Sequence, residues 1–171
     1  MKRNHYFLTF FLLLILQILF CNYLHLSLYV SLSILPVMIL MLPIRFGTIF
    51  AMVLAFVSGL CVDFLSEGII GINAFSLVPV AFLRTSIIDL IFGDEIFARK
   101  EDISIRKHGI VKMSVAIIAV QSIFLLLYIW IDGASTRPFW FNAVRFFVSL
   151  VAGLLLSLAL SKPLSTNDHD L

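Results

Sequence analysis

Apolar runs of membrane-crossing length dominate the chain, and short polar clusters separate them. The pattern predicts six apolar helices at about 6–20, 24–42, 47–65, 69–92, 112–131 and 139–161. A helix needs about 20 residues to cross the ~30 Å hydrocarbon core of a bilayer, and most of these runs are close to that length. Pro36 and Pro79 fall inside the second and fourth runs. Each removes a backbone donor and is expected to kink its helix. In lipid the freed carbonyl must find another partner, so both helices are expected to face protein at those points. The first run follows Lys2 and Arg3, and Leu19-Phe20 before Cys21 offers no small-residue cleavage site. An uncleaved first helix is expected.

Composition agrees with this pattern. Of 171 residues, 61% are hydrophobic and 13% charged, with a mean hydropathy of +1.10. Soluble domains are roughly 45–50% apolar and about 25% charged. Six spans consume ~120 residues at this helix length, which leaves no room for a catalytic module, a nucleotide-binding domain or a ligand-binding ectodomain. A net charge of +2, with no basic face interleaved with aromatics, excludes nucleic acid as a partner. Cys21 and Cys61 form neither a disulfide framework nor a zinc pattern, though a single disulfide between them stays open.

Basic residues set the expected orientation. With the N-terminus in the cytoplasm, Lys2, Arg3, Arg45, Arg99, Lys100, Arg106, Lys107, Lys112 and Lys162 all fall inside, nine of the twelve basic residues. Arg137 falls outside, and Arg84 and Arg145 lie within spans. Both termini are therefore expected in the cytoplasm. Trp130, Trp140 and Tyr128 flank the outer loop at 132–138, where an aromatic belt is expected. Residues 1–164 form one transmembrane domain in this scheme, 93–111 a charge-rich cytoplasmic loop and 165–171 a polar, frayed tail. In the loop, Glu95 and Arg99 have the spacing of a surface helix pair. A solvated connector is the first reading of this loop; the alternative is a docking surface or short interfacial helix, with Ile96, Phe97, Ile103 and Ile105 dipping toward the headgroups.

Small residues recur at four-residue steps in two spans. Gly47, Ala51, Ala55, Gly59 and Asp63 mark the third, and Arg145, Ser149, Gly153, Ser157 and Ser161 the sixth. Such residues let membrane helices approach closely. Laying the two stripes antiparallel predicts contact between spans three and six, with Asp63 and Arg145 as an ion pair. Charged groups in spans cost roughly 2.5–3.5 kcal/mol each at the centre, so Asp63, Arg84, Asp89 and Arg145 must pair, snorkel or line a polar cavity. Arg84 is expected to snorkel inward and Asp89 to meet Arg45. Gln17 and Gln121, both mid-span, are expected to make interhelical hydrogen bonds.

Catalytic patterns find no support. His5, His25, His108 and His169 are scattered, with no His-Glu-x-x-His helix and no Gly-x-Ser-x-Gly elbow. No cofactor or metal set is indicated.

The most distinctive stretch is 59–84, GLCVDFLSEGIIGINAFSLVPVAFLR. Gly59, Asp63, Gly68 and Gly71 frame a tight polar turn between two helices, and Asn73-Ala74 opens the second. This helix–Gly-x-x-x-Asp–turn–Gly–helix pattern resembles the rod shape-determining protein MreD family. Chain length, the basic start, Pro36 in the second span and the basic loop before the fifth span agree with that family. Val37 departs from it, since members often carry an acidic or polar residue after that proline. The resemblance implies a non-catalytic subunit of the bacterial cell-wall elongation machinery in the cytoplasmic membrane. Its implied partner is the bitopic protein MreC and, through it, the MreB filament, RodA and a class B penicillin-binding transpeptidase. It also implies a fold similar to the six-helix substrate-binding subunit of energy-coupling-factor transporters.

Two functions of different class are thus expected. A scaffold should carry an apolar, small-residue groove and no polar ligand cavity. A vitamin-type transporter subunit should carry a polar or aromatic pocket at the outer side, and small-residue docking motifs in span one. Span one contains neither alanine nor glycine, and Ala51-x-x-x-Ala55 lies in span three instead.

Overall fold

A computed structural model describes residues 2–23, 31–67, 70–93, 96, 103, 109–133 and 138–166, without the side chains of 2–7, 23, 67 and 161–166. Gly68, the Glu95–Arg99 pair, Phe97, Ile105, Arg137 and most of the loop and tail lie outside the described residues. The described residues contain no strand. Among the described residues the helices with assigned bounds are, in order, α1 (Lys2–Tyr23), α2 (Leu35–Leu40), α3 (Thr48–Val62), α4 (Ile72–Phe92), α5 (Ile110–Gly133) and α6 (Phe139–Thr166). A π-helical turn, Asp63–Glu67, extends α3.

Four of these segments are long and apolar enough to cross a membrane: Thr48–Ser66, Ile72–Phe92, Ile110–Asp132 and Phe139–Leu160. Their outward faces are apolar, with Val53, Phe56, Phe75, Phe82, Leu126, Phe147 and Leu155 exposed. The polar side chains Gln17, Asp63, Asn73, Arg84, Gln121, Arg145, Ser149 and Ser157 are buried instead. A soluble protein rarely exposes an apolar surface this continuous. The distribution is compatible with a multi-pass membrane protein.

The second predicted span takes a different form. Residues 31–34 are not helical, and the helix that follows is only six residues long. Pro36 sits in its first turn and starts that helix rather than kinking a longer one. Residues 33–40 are all buried, so the irregular backbone before α2 needs partners that lipid cannot supply. Other helices provide them. Gln17 of α1 accepts from Ile34 N–H (2.8 Å) and donates to the Leu32 carbonyl (3.2 Å). Gln121 of α5 donates to the Ser33 carbonyl (3.3 Å), and Ser149 of α6 accepts from Ser31 N–H (2.8 Å). At the far end Arg84 of α4 donates through Nε to the Leu40 carbonyl (3.2 Å) and through Nη2 to the Leu42 carbonyl. Arg84 therefore turns toward protein and satisfies the end of α2, where snorkelling toward solvent was expected.

Helices α3 and α4 form a hairpin, and α4 packs on α5, which packs on α6. Thr48 and Thr85 hydroxyls meet at 3.1 Å at the open end of the α3–α4 hairpin. Helix α4 continues through the half-buried Pro79. Ile96 and Ile103 are buried in the hydrophobic core, where the interfacial alternative expected contact with headgroups.

Candidate functional site

The chemistry-bearing residues gather at the end of the bundle that holds the α3–α4 turn and the start of α6. Asp63 lies at the C-terminus of α3, fully buried. Its Oδ2 accepts from the backbone N–H of Gly71 (2.9 Å) and Ala74 (3.3 Å). Its Oδ1 accepts from Asn73 N–H (3.0 Å) and from the Asn73 side-chain amide (2.9 Å). The first N–H groups of a helix lack internal partners and carry partial positive charge. Here the residue before α4 is Gly71, which has no capping side chain and holds φ at 107°. The carboxylate of the preceding helix takes over that role.

This arrangement needs the two helices in near contact, and Gly59 permits it. A Cβ at Gly59 would lie 2.5 Å from Ala74 Cα and 2.6 Å from Ala74 N, far inside van der Waals contact. Ala51, Ala55, Gly59 and Asp63 are all buried. The stripe is a packing face, and its neighbour is α4.

Arg145 has a different set of partners. It pairs with Asp132 at the end of α5, donates from Nε to Ser31 Oγ (3.0 Å), and lies 5.7 Å from the centre of the Tyr128 ring. Tyr128 is buried and stacks on Phe124 at 5.7 Å, so it does not join the aromatic belt; Trp130 and Trp140 are exposed. The α6 stripe faces α5 and residues 31–33: a Cβ at Gly153 would overlap the Gln121 amide, and Ser149 binds Ser31. The expected Asp63–Arg145 pair is therefore not formed, and α3 and α6 do not make the expected close interface. Four-residue spacing identified both packing faces but not which helix each would meet. Asp89 and Arg45 are both exposed. No disulfide joins Cys21 and Cys61.

Two concavities result. A polar cavity of about 140 Å³ is bounded by Gln17, Ser31, Ser33, Asn73, Tyr128 and Arg145, among others. A shallow apolar groove of about 450 Å³ lies on the outer face of α3 and its π-turn, formed by Val57, Leu60, Cys61, Phe64, Leu65 and Ile70. The groove is apolar, as expected of a scaffold, but large side chains line it where small residues were expected, and the polar cavity also departs from that expectation. Asp132 and Ser31, which complete the Arg145 cluster, were not singled out in the sequence as its partners. The separation of Asp132 and Arg145 by only thirteen residues was the available signal. No group of three or more metal-ligating side chains occurs among the described residues.

No family model, curated protein or solved structure matches the chain.

Proposed function

We propose that this chain is a non-catalytic scaffold of the bacterial cell-wall elongation machinery, an MreD-like subunit that binds a bitopic MreC-like protein in the cytoplasmic membrane. One observation carries the proposal. Gly59, Asp63 and Gly71, which carry the resemblance, act together to lock α3 against α4. A motif that builds a stiff helix hairpin suits a protein whose task is to present a fixed surface to partners. The buried polar side chains point the same way. Gln17, Gln121, Ser149 and Arg84 are spent on backbone groups of residues 31–42, which favours architecture over chemistry.

The proposed topology has six membrane segments. Helix α1 spans 22 residues, about 33 Å at 1.5 Å per residue, and the segment around α2 would be the second. Both termini would be cytoplasmic on the distribution of basic residues. The α3–α4 turn would then face the periplasm, where the soluble part of a bitopic partner lies. MreB, RodA and the class B transpeptidase would be reached through that partner.

The polar cavity favours a second reading, a small-molecule-binding transporter subunit. Its size argues against a vitamin. Pockets for ligands of that size begin at about 300 Å³, and this cavity holds about 140 Å³.

Affinity purification of the tagged chain from its own membranes in mild detergent tests the proposal. Co-purification of a single-span periplasmic protein together with wall-synthesis enzymes is the expected result. Recovery of an ATPase pair with a coupling membrane subunit would overturn it.

A further inference from the structure

We propose that the polar cavity binds a small zwitterion, one that carries a primary ammonium and an anionic oxygen a few bonds apart. The site does not depend on the scaffold reading. Its acceptor end is Asn73, which borders the cavity and is only 2% exposed. Asn73 Nδ2 donates to the Asp63 carboxylate at 2.9 Å. An ionised carboxylate only accepts, so this bond fixes which way the amide points. Oδ1 is left as an acceptor, and it makes no hydrogen bond to the described residues. The unpartnered polar atoms that are sealed from solvent include Ser33 Oγ and Gln121 Oε1 but not Asn73 Oδ1. Oδ1 therefore keeps accessible surface, and the open space that Asn73 borders is this cavity.

The charge behind Asn73 decides which donor suits it. Asp63 is fully buried, and its four hydrogen-bond donors are all neutral. The carboxylate polarises the Asn73 amide and strengthens Oδ1 as an acceptor. A cationic N–H group there faces a buried anion one amide away. The donor end is Arg145, which also borders the cavity and is 8% exposed. Its Nε is held by Ser31 and its Nη1 by Asp132. Nη2 bonds to no described residue and is likewise not sealed from solvent. An anionic oxygen is the natural partner of a guanidinium edge. A lone anion gains little, since Asp132 already pairs with Arg145, and a lone cation would meet the guanidinium. One ligand with both charges satisfies both ends.

Size limits the ligand further. The cavity of about 140 Å³ is close to the ~150 Å³ of an apolar cavity that accepts benzene, so a ligand of about six to eight heavy atoms fits. Leu32 and Phe124 also border it and suit one short carbon chain. Alanine has this size, and so does the aminoethyl phosphate of phosphatidylethanolamine. Both carry an ammonium with N–H groups and an anionic oxygen. The ligand would be a free amino acid or a lipid headgroup.

The test uses the full chain, delipidated in dodecyl maltoside, with thermal unfolding followed at matched ionic strength. The soluble probes are alanine, propionate and ethylamine. The lipid probes are dihexanoyl phosphatidylethanolamine and dihexanoyl phosphatidylcholine. Propionate lacks the ammonium, ethylamine lacks the anion, and the choline headgroup keeps its charge but has no N–H for Asn73. Alanine or the ethanolamine lipid is expected to raise the melting temperature saturably. The matching controls should bind about tenfold more weakly, the loss of roughly one hydrogen bond to a charged group. A shift with alanine identifies a free amino acid as the source, and a shift with the ethanolamine lipid alone identifies a headgroup. Arg145→Lys keeps the charge beside Asp132 but not the planar fork, and should weaken the effective probe about tenfold. No shift with either zwitterion would overturn the proposal, as would equal affinity for the matching controls or unchanged affinity in Arg145→Lys. Should that variant fail to fold, the comparison of probes on the wild type decides alone.

Discussion

The Asp63 carboxylate holds Asn73 twice, through its backbone N–H at 3.0 Å and its side-chain amide at 2.9 Å. The residues are ten apart in sequence and belong to different helices. Together with the bonds to Gly71 and Ala74, this contact welds the end of α3 to the start of α4.

Asp63→Ala leaves the N-terminal donors of α4 and the Asn73 amide without their acceptor in a buried site. A loss of roughly 2–4 kcal/mol is expected, read as reduced abundance in membranes and a lower melting temperature in detergent. Asp63→Asn keeps one acceptor oxygen and should lose about half as much. Equal stability of all three proteins would show that the cap is dispensable.

Gly59→Ala tests the close approach on which that cap depends. Ala74 backbone atoms occupy the space, so the helices must separate. An overpacking cost of about 1–3 kcal/mol is expected, and Gly59→Leu should not accumulate at all. In contrast, Gly47→Ala meets open space and should be nearly neutral by the same assay.

Removing Arg145 leaves the partly buried Asp132 carboxylate without its cation. Arg145→Met is therefore expected to be more destabilising than the double variant Arg145→Met/Asp132→Leu, since an uncompensated charge costs more than an absent pair. A thermodynamic cycle from unfolding midpoints gives the coupling, expected at about 1–3 kcal/mol. Additive effects would mean the pair contributes nothing.

Arg84→Met removes the donors from the Leu40 and Leu42 carbonyls at the end of α2. A loss of about 2–4 kcal/mol is expected, because two buried acceptors lose their charged partner. Arg84→Lys should recover part of it, since a single ammonium cannot reproduce the planar fork. Protease sensitivity of residues 31–47 in detergent would rise in the methionine variant and reports the local effect.

Hydropathy located α3, α4, α5 and α6 to within a few residues, because lipid-facing helices must be apolar over their whole length. It misjudged residues 31–42 for the same reason. A buried irregular segment inside a membrane bundle is as apolar as a helix, and hydropathy does not distinguish them. The difference lies in Gln17, Gln121, Ser149 and Arg84, whose side chains supply the hydrogen bonds that a helix would make internally. The two glutamines stood out as mid-span amides. That their partners were backbone groups of one unwound stretch was not legible along the chain.

The sequence by itself determined that the chain is helical and rich in membrane-length segments. It also determined which faces of α3 and α6 are small and buried, because four-residue spacing puts a residue near the same face of its helix. Only the tertiary structure decided the neighbours. Asp63 and Arg145 have opposite charges and similar depth, which made them natural partners on a linear scheme. The fold gives Asp63 the start of α4 and gives Arg145 the end of α5. In each case the partners are close along the chain, eight residues apart for Asp63 and Gly71 and thirteen for Asp132 and Arg145, so less chain entropy opposes the contact than for a distant helix. Periodicity carries the identity of a face, whereas the identity of its neighbour depends on how all the helices close around one core.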